Sequence, residues 1–186
     1  MRNLFLLMVL TASAHVYGQA YTVTPDGLRD KSDNEKTYLV LEADGLSATQ
    51  LYDNAIKYVN EKYKDPEEVI KGKTEGEYLK FDTHISNFIV YNNSGAKMPI
   101  QATYTTELRF KEGKVKYEIV SLEMKAKTAN YYVLFTGGLL EGYIIYKKNG
   151  KLFKEEAKTD IENHFNIYVF DLLKFLQGDN NSDSDW

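Results

Sequence analysis

Two pairs of carboxylate and imidazole side chains are the residues of this chain best suited to chemistry. Asp82 and His84 are two residues apart, so a β-strand would place both side chains on one face. Asp160 and His164 are four residues apart, the spacing of one helix face. Either pair could supply two metal ligands, both together would make a four-ligand site, and Asp82 with His84 could serve a hydrolase-like reaction. The alternative is that all four are exposed polar positions, with Asp160 helping to start a helix.

Sequence motifs give these pairs no further support. The chain contains no GxGxxG, P-loop, nucleophile-elbow serine or HExxH motif. It also contains no cysteine, which excludes thiol catalysis, cysteine-held metals and a disulfide scaffold. We therefore predict no cofactor and no bound metal, and we favour a protein that is not an enzyme.

The last residues of the sequence, 179–186, are acidic and rich in serine and asparagine, which predicts a disordered tail. Oxygen-bearing side chains alternate along this tail as in a calcium loop, but the glycine at position six and the glutamate at position twelve are missing. Trp186 is the only tryptophan of the chain. It is either part of a frayed end or a short docking motif.

The first residues predict export from the cytoplasm. A basic start precedes an unbroken apolar run from Leu4 to Leu10, and small residues follow, as in a secretory signal peptide. We place the signal peptide at 1–18, with cleavage after Gly18, and keep cleavage after Ala20 as the alternative. No later segment is long and apolar enough to cross a bilayer. We expect a periplasmic or cell-surface protein without a lipid anchor, since no cysteine could carry one.

The charge balance excludes one class of partner. The whole chain has 23 basic and 27 acidic residues, a net charge of −4, and removal of residues 1–18 takes away only Arg2 and leaves −5. Nucleic-acid binding needs clustered lysine and arginine, so we expect no nucleic acid as partner. The 15 tyrosines suit half-buried strands, or alternatively an aromatic platform for a sugar ring.

A β-hairpin from Tyr104 to Met124 is the element whose register the sequence predicts best. A turn at Glu112-Gly113 places three cross-strand pairs on one face, because side chains alternate with period two: Phe110 with Val115, Leu108 with Tyr117, and Thr106 with Ile119. The pairs Arg109 with Lys116 and Glu107 with Glu118 lie on the opposite, solvent-exposed face. We expect opposite charges there to meet on the diagonals, Arg109 with Glu118 and Glu107 with Lys116.

In the second strand of this hairpin, the apolar residues shift from one alternation to the other. This shift defines the candidate binding surface. Val120, Leu122 and Met124 follow the opposite alternation from Val115, Tyr117 and Ile119. A β-bulge near Ile119 would reset the face. Without a bulge, these residues and the neighbouring Tyr131 and Tyr132 would form an apolar strip able to seat a peptide, a lipid or a glycan. The alternative is that the segment 130–146 packs over them as core.

The remaining patterns predict two helices and several strands. Ser47 and Gln50 make a capping box for a helix at 47–64, which should end before Asp65-Pro66. An apolar stripe predicts a second helix at 159–177. The predicted strands are Thr37–Ala43, a short one at Val69–Lys71, Glu77–Ile85, and strands within Asn130–Lys154 with a turn at 148–151. Residues 19–36 are interpreted as a polar leader with at most a brief strand at 21–23.

Several of these segments are similar to one known family. Strand Lys36–Ala43, the cap Gly45-Leu46-Ser47, the segment Lys64–Ile70 and the hairpin Tyr104–Met124 resemble domain of unknown function 4468, a family of exported bacterial proteins with a TBP-like fold. The resemblance covers about residues 36–124. It implies a curved antiparallel sheet with helices on one face, and it supplies no catalytic residues because the family has no assigned activity.

The sequence thus predicts one α+β domain at 37–178, with an antiparallel sheet of five or more strands and two helices on one face. For function, we favour an exported, non-catalytic binding or interaction module with a protein, peptide or glycan partner. Two alternatives remain: a structural subunit of an envelope assembly, and a hydrolase-like enzyme using Asp82 and His84.

Overall fold

The computed structural model describes residues 19–128, 130–138 and 142–178. The predicted signal peptide at 1–18 and the predicted acidic tail at 179–186, with its calcium-like pattern and Trp186, lie outside these residues. The described strands are β1 Tyr21–Thr24, β2 Gly27–Asp30, β3 Tyr38–Glu42, β4 Ile70–Thr74, β5 Tyr78–Asn93, β6 Ala96–Lys111, β7 Lys114–Ala126, β8 Val133–Gly137 and β9 Tyr143–Lys147. The helices are α1 Ala48–Lys62, α2 Pro66–Val69 and α3 Glu155–Leu176.

The main sheet has five antiparallel strands in the order β3-β7-β6-β5-β4. Helices α1 and α3 pack against one face of it, where rings interlock between the layers: Tyr52 with Phe110, Tyr63 with Phe81, and Phe165 with Tyr104. Burial of these apolar side chains is the main stabilising term of a chain without disulfides. The predicted α+β class, sheet and helix layer are confirmed, with the short helix α2 as an addition.

No helix among the described residues is long and apolar enough to span a membrane.

The central hairpin has the predicted register. Phe110 lies opposite Val115, Leu108 opposite Tyr117, and Thr106 opposite Ile119. Gly113 supplies the positive φ of 71° that the turn requires. The short ion pairs form along each strand and not on the expected diagonals: Arg109 Nη2 to Glu107 Oε1 at 2.9 Å, and Lys116 Nζ to Glu118 Oε2 at 2.7 Å. Across one diagonal, Arg109 still acts on Glu118: burial raises the pKa of Glu118, but the contacts with Lys116 and Thr37 and the charge of Arg109 lower it overall.

A β-bulge in β7 switches the sheet face on which alternate side chains lie, as the shift in apolar alternation predicted. Thr106 pairs with Ile119 but Thr105 pairs with Ser121, so Val120 is the extra residue. Beyond the bulge, Leu122 pairs with Tyr104 and therefore faces the helices. The apolar residues on both sides of the bulge thus reach the same core.

The brief strand expected at 21–23 is present as β1, but the rest of the expected polar leader is wrong, because residues 27–30 form a second strand that pairs with it. Strands β1 and β2 form a hairpin, and Tyr21 is only 1% exposed. The Tyr21 hydroxyl donates to the Tyr117 carbonyl at 3.2 Å, and Asn166 of α3 accepts from the Tyr21 backbone N–H at 2.7 Å. Four-residue strands beside a charged run show too little alternation to be recognised from sequence.

The helix boundaries follow local capping chemistry. The capping box of Ser47 and Gln50 starts α1 as predicted, and the helix ends before Asp65. Helix α3 begins at Glu155, four residues before the predicted start at 159. The carboxylates of Glu155 and Glu156 interact favourably with the positive end of the helix dipole. They are not part of the apolar stripe from which the start was predicted.

The segment 130–154 holds the strands that its apolar runs predicted, but their arrangement is unexpected. Strands β8 and β9 pair in parallel, with Val133 opposite Tyr143. The predicted turn at 148–151 is confirmed: the Gly150 N–H donates to the Lys147 carbonyl at 2.8 Å, and Leu152 returns beside Tyr146.

The hairpin register predicts a contrast between neighbouring substitutions. Leu108→Ala and Tyr117→Ala should each lower the free energy of unfolding by about 2–5 kcal/mol, because each leaves a cavity in the core. Arg109→Ala should cost under about 1 kcal/mol, because its ion pair lies on the solvent face. Urea unfolding of the three variants measures this. A costlier Arg109→Ala would mean that the core face is misassigned.

Glu162 of α3 predicts part of the acid sensitivity of the fold. Burial alone would raise the pKa of Glu162, but hydrogen bonds from Lys158, the Val23 N–H and the Thr22 hydroxyl outweigh it and lower that pKa. A carboxyl whose pKa is lower in the folded state stabilises the fold above its unfolded pKa, and this contribution is lost as the pH falls through the folded value.

The matching experiment is urea unfolding of the wild type and Glu162→Gln at a series of acidic pH values. The variant should be less stable at neutral pH, and the difference should shrink as the pH falls through the range in which Glu162 titrates. A difference that stays constant with pH would show that the Glu162 charge contributes nothing.

Candidate binding cleft

Asp82 and His84 share a strand face as predicted, but they do not form a site. Both lie on β5 on the sheet face away from the helices. Asp82 accepts from the Thr105 hydroxyl at 2.7 Å and lies 3.9 Å from Lys71 Nζ. His84 is exposed and contacts the Thr103 hydroxyl through Nδ1 at 3.1 Å. Each residue therefore has its own partner on an open surface, and neither lines the cavities described below.

The second pair is separated from the first by the sheet. Asp160 is exposed, whereas His164 is half-buried, with its ring 4.6 Å from that of Phe88 and Nε2 3.4 Å from the Tyr104 hydroxyl. Burial lowers the pKa of His164, so the neutral ring is favoured. His164 lies on the helix side of the sheet and His84 on the other, so the two pairs do not come together as the four-ligand site that their spacing left open. Within the described part of the chain, no group of three or more potential ligands could hold a metal.

The predicted apolar strip is also divided. Met124 is only 2% exposed, and Leu122 packs against the core beside it. Val120 is 43% exposed at the bulge, and Tyr131 and Tyr132 are exposed beside β7, where Tyr132 forms an isolated bridge with Lys125. The bulge therefore divides the strip, and Tyr131 lines the cavity described next.

That cavity, the aromatic cleft, has a volume of about 460 Å³ and lies beside the turn that joins β5 to β6. The rings of Tyr91 and Tyr143 stack, with centroids 4.8 Å apart and planes 27° apart. Tyr131 continues the row, 5.6 Å from Tyr143. The remaining lining residues are Asn93, Ser94, Gly142, Ile144 and Phe153.

Buried contacts fix the floor of the aromatic cleft. The Tyr91 hydroxyl donates to the Ile144 carbonyl at 2.8 Å, which joins β5 to β9. Burial raises the pKa of Tyr91 to about 12, so the hydroxyl remains a donor. Gly142 precedes Tyr143 with φ of 155°, and a Cβ there would lie 2.7 Å from the Tyr132 carbonyl oxygen. Only glycine allows β9 to begin this close to the neighbouring backbone.

A second cavity of about 510 Å³, the charged cleft, adjoins the first and shares Ser94 and Phe153 with it. Its other lining residues are Asn92, Gly95, Lys154, Glu155, Glu156 and Ala157. Lys154 Nζ donates to the Asn92 carbonyl at 2.6 Å and lies over the rings of Tyr91 and Phe153. The lysine therefore ties the start of α3 to the end of β5.

The two clefts together offer a particular set of chemical groups. The aromatic cleft presents ring faces, the Asn93 amide and the hydroxyls of Ser94 and of its tyrosines. The charged cleft presents two carboxylates, the Lys154 ammonium and the Asn92 amide. Ring faces beside polar side chains suit the recognition of a ligand that has both apolar and polar parts.

Sequence reasoning found the turn at 92–95 and the high tyrosine content but not this site. Tyr91, Tyr143 and Phe153 come from three distant segments. Their meeting depends on the parallel pairing of β8 and β9, which no local pattern indicates.

Comparison with known proteins places the sheet in a family. Residues 38–125 match the family described as a domain of unknown function (DUF4468) with TBP-like fold. A crystal structure of a DUF4468 family protein from Bacteroides ovatus is similar, with a TM-score of 0.53 and 17% sequence identity. The match covers 76% of this chain and 84% of that chain, and at this identity it shows the fold alone. The comparison with curated proteins found no match.

The matched residues 38–125 run from the start of β3 to the last residue but one of β7, so they contain nearly all of the five-stranded sheet and α1. Helix α3, the β1–β2 hairpin and most of the aromatic cleft lie outside them. Over residues 38–125, the chain matches the DUF4468 family, which is described as having a TBP-like fold.

Proposed function

We propose that the protein is a non-catalytic binding module that acts outside the cytoplasm and binds a carbohydrate in the aromatic cleft. The observation that carries this proposal is the row of rings, Tyr91, Tyr143 and Tyr131, ending beside Phe153 at a turn with polar side chains. Export rests on the signal-peptide pattern of residues 1–18.

The exposed aromatic area supports a sugar more than a fully apolar ligand. Tyr131 is 55% exposed and Phe153 is 38% exposed, so both rings are accessible to a ligand. Two ammonium groups also lie near the Phe153 ring, Lys147 Nζ at 5.2 Å and Lys154 Nζ at 5.0 Å from its centre. A pyranose ring has an apolar face of C–H groups, which packs on an aromatic ring, and a rim of hydroxyls, which needs polar partners. Asn93 and Ser94 provide an amide and a hydroxyl at the edge of the same cavity.

The dimensions of the cavity agree with a small ligand. The volume of about 460 Å³ falls in the range of roughly 300–1,000 Å³ for small-molecule sites. The charged cleft continues on the other side of Phe153, so an oligosaccharide could extend past this ring toward Glu155 and Glu156.

Binding to a panel of neutral, amino-bearing and acidic oligosaccharides, measured by calorimetry, tests this proposal. We expect one class to bind, and we expect Tyr131→Ala and Phe153→Ala each to weaken that binding by about tenfold or more, since a buried aromatic anchor contributes over 1 kcal/mol.

The matched control is Phe170→Ala, which removes an exposed ring from α3, away from both clefts. It should leave the affinity unchanged, and thermal unfolding should show that all three variants fold. Binding that survives both cleft substitutions, or no binding across the panel, would contradict the proposal.

One observation favours a second candidate, a structural subunit of an envelope assembly. Ile167 and Phe170 are exposed one turn apart on α3, with 62% and 56% of their surface accessible. Lys174 Nζ lies over the Phe170 ring at 4.5 Å. Such a small apolar patch on a helix suits contact with another protein.

A further inference from the structure

The sheet face away from the helices carries a groove lined by positive charges. This basic groove has a volume of about 350 Å³ and is lined by Tyr38, Val40, Arg109, Lys111, Lys114 and Lys116. Lys111 lies opposite Lys114 in the β6–β7 register, and Arg109 lies opposite Lys116. Four cations therefore form a square at the turn end of the hairpin, in a chain whose net charge is −4.

Only half of this square is neutralised by described residues. Arg109 pairs with Glu107 and Lys116 with Glu118. Lys111 and Lys114 are exposed, and no carboxylate of the described residues lies within ion-pair distance of either one. Glu42 is opposite Lys114 in the β3–β7 register but does not pair with it. Like charges placed side by side on a sheet are unfavourable, so this corner favours an anionic partner.

The groove also has an apolar side. Lys116 Nζ lies 4.3 Å from the centre of the Tyr38 ring, and Val40 is the next residue of β3 on the same face. A ligand with carboxylates and one aromatic group would therefore match the groove in both charge and shape.

Helix α3 ends at this corner of the sheet. Gln177 Nε2 donates to the Glu42 carbonyl at 3.2 Å, and Asn54 Nδ2 donates to the Leu176 carbonyl at 2.8 Å. Since Glu42 is the cross-strand partner of Lys114, the chain leaves α3 close to the unpaired lysines.

The sequence after Gly178 has the matching chemistry. It contains Asp179, Asp183 and Asp185 and ends in Trp186 in the printed sequence. Eight residues reach about 26 Å at roughly 3.3 Å per residue, while packed layers are about 10 Å apart. The segment is long enough to pass the end of β3 and reach the outer face.

We propose that residues 179–186 bind the basic groove of their own chain, with aspartates at Lys111 and Lys114 and the Trp186 indole against Tyr38 and Val40. The contact is a different surface from the aromatic cleft and does not depend on the proposed function.

Trp186 fluorescence in the full-length protein tests the proposal, because it is the only tryptophan of the chain and its emission reports on this segment alone. In low salt, we expect the emission to be blue-shifted and shielded from acrylamide. Raising the salt from about 0.01 M to about 1 M shortens the screening length from roughly 30 Å to roughly 3 Å and should remove the shielding.

Two sets of substitutions should remove the shielding of Trp186 from acrylamide even in low salt. Lys111→Glu with Lys114→Glu removes the cationic side, and Asp179→Asn with Asp183→Asn and Asp185→Asn removes the anionic side. The control is Lys31→Glu with Lys97→Glu, which changes the net charge equally at exposed positions elsewhere and should leave the shielding unchanged. Circular dichroism checks that each variant is folded.

Two results would overturn the proposal. One is a low-salt Trp186 signal that is the same in the wild type and in the Lys111 and Lys114 variant. The other is shielding that disappears on dilution, because this would show that the segment binds a second copy of the chain.

Discussion

The extra residue Val120 in β7 is the constraint on which the rest of the fold depends. Strand β6 keeps one alternation of buried side chains from Ile100 to Phe110, whereas the alternation of its partner β7 shifts at the bulge. Before the bulge, Val115 and Tyr117 face the helix layer, and after it Leu122 and Met124 do so. One inserted residue reverses the side to which every following side chain points. The sheet can therefore present a continuous apolar face to α1 and α3.

The two sides of the sheet have different consequences for binding. The helix side is filled by packed aromatic rings. The outer side carries polar and charged residues such as Lys114. The β5–β6 turn extends beside the added segment 131–153, and the aromatic cleft forms where they meet. Both proposed surfaces thus lie outside the helix–sheet core.

Local chemistry made much of this fold predictable from sequence. The turn at Glu112-Gly113 and strict alternation gave the register of Leu108 with Tyr117, and the Ser47 side chain gave the start of α1. The family resemblance agreed with the sheet. Features that depend on distant contacts were missed: Tyr21 is buried by α3 and β7, and the pairing of β8 with β9 has no local signal. The candidate site was missed for the same reason, since Tyr91 and Tyr143 are joined by tertiary contacts.

Cross-strand nuclear Overhauser contacts between β6 and β7 in solution test the bulge most directly. The account predicts contacts of Thr106 with Ile119, Thr105 with Ser121 and Tyr104 with Leu122, with Val120 left without a direct partner. An unbroken ladder would instead pair Thr105 with Val120 and Tyr104 with Ser121. Observation of that ladder would contradict the account, because Leu122 and Met124 would then face solvent as an open apolar strip.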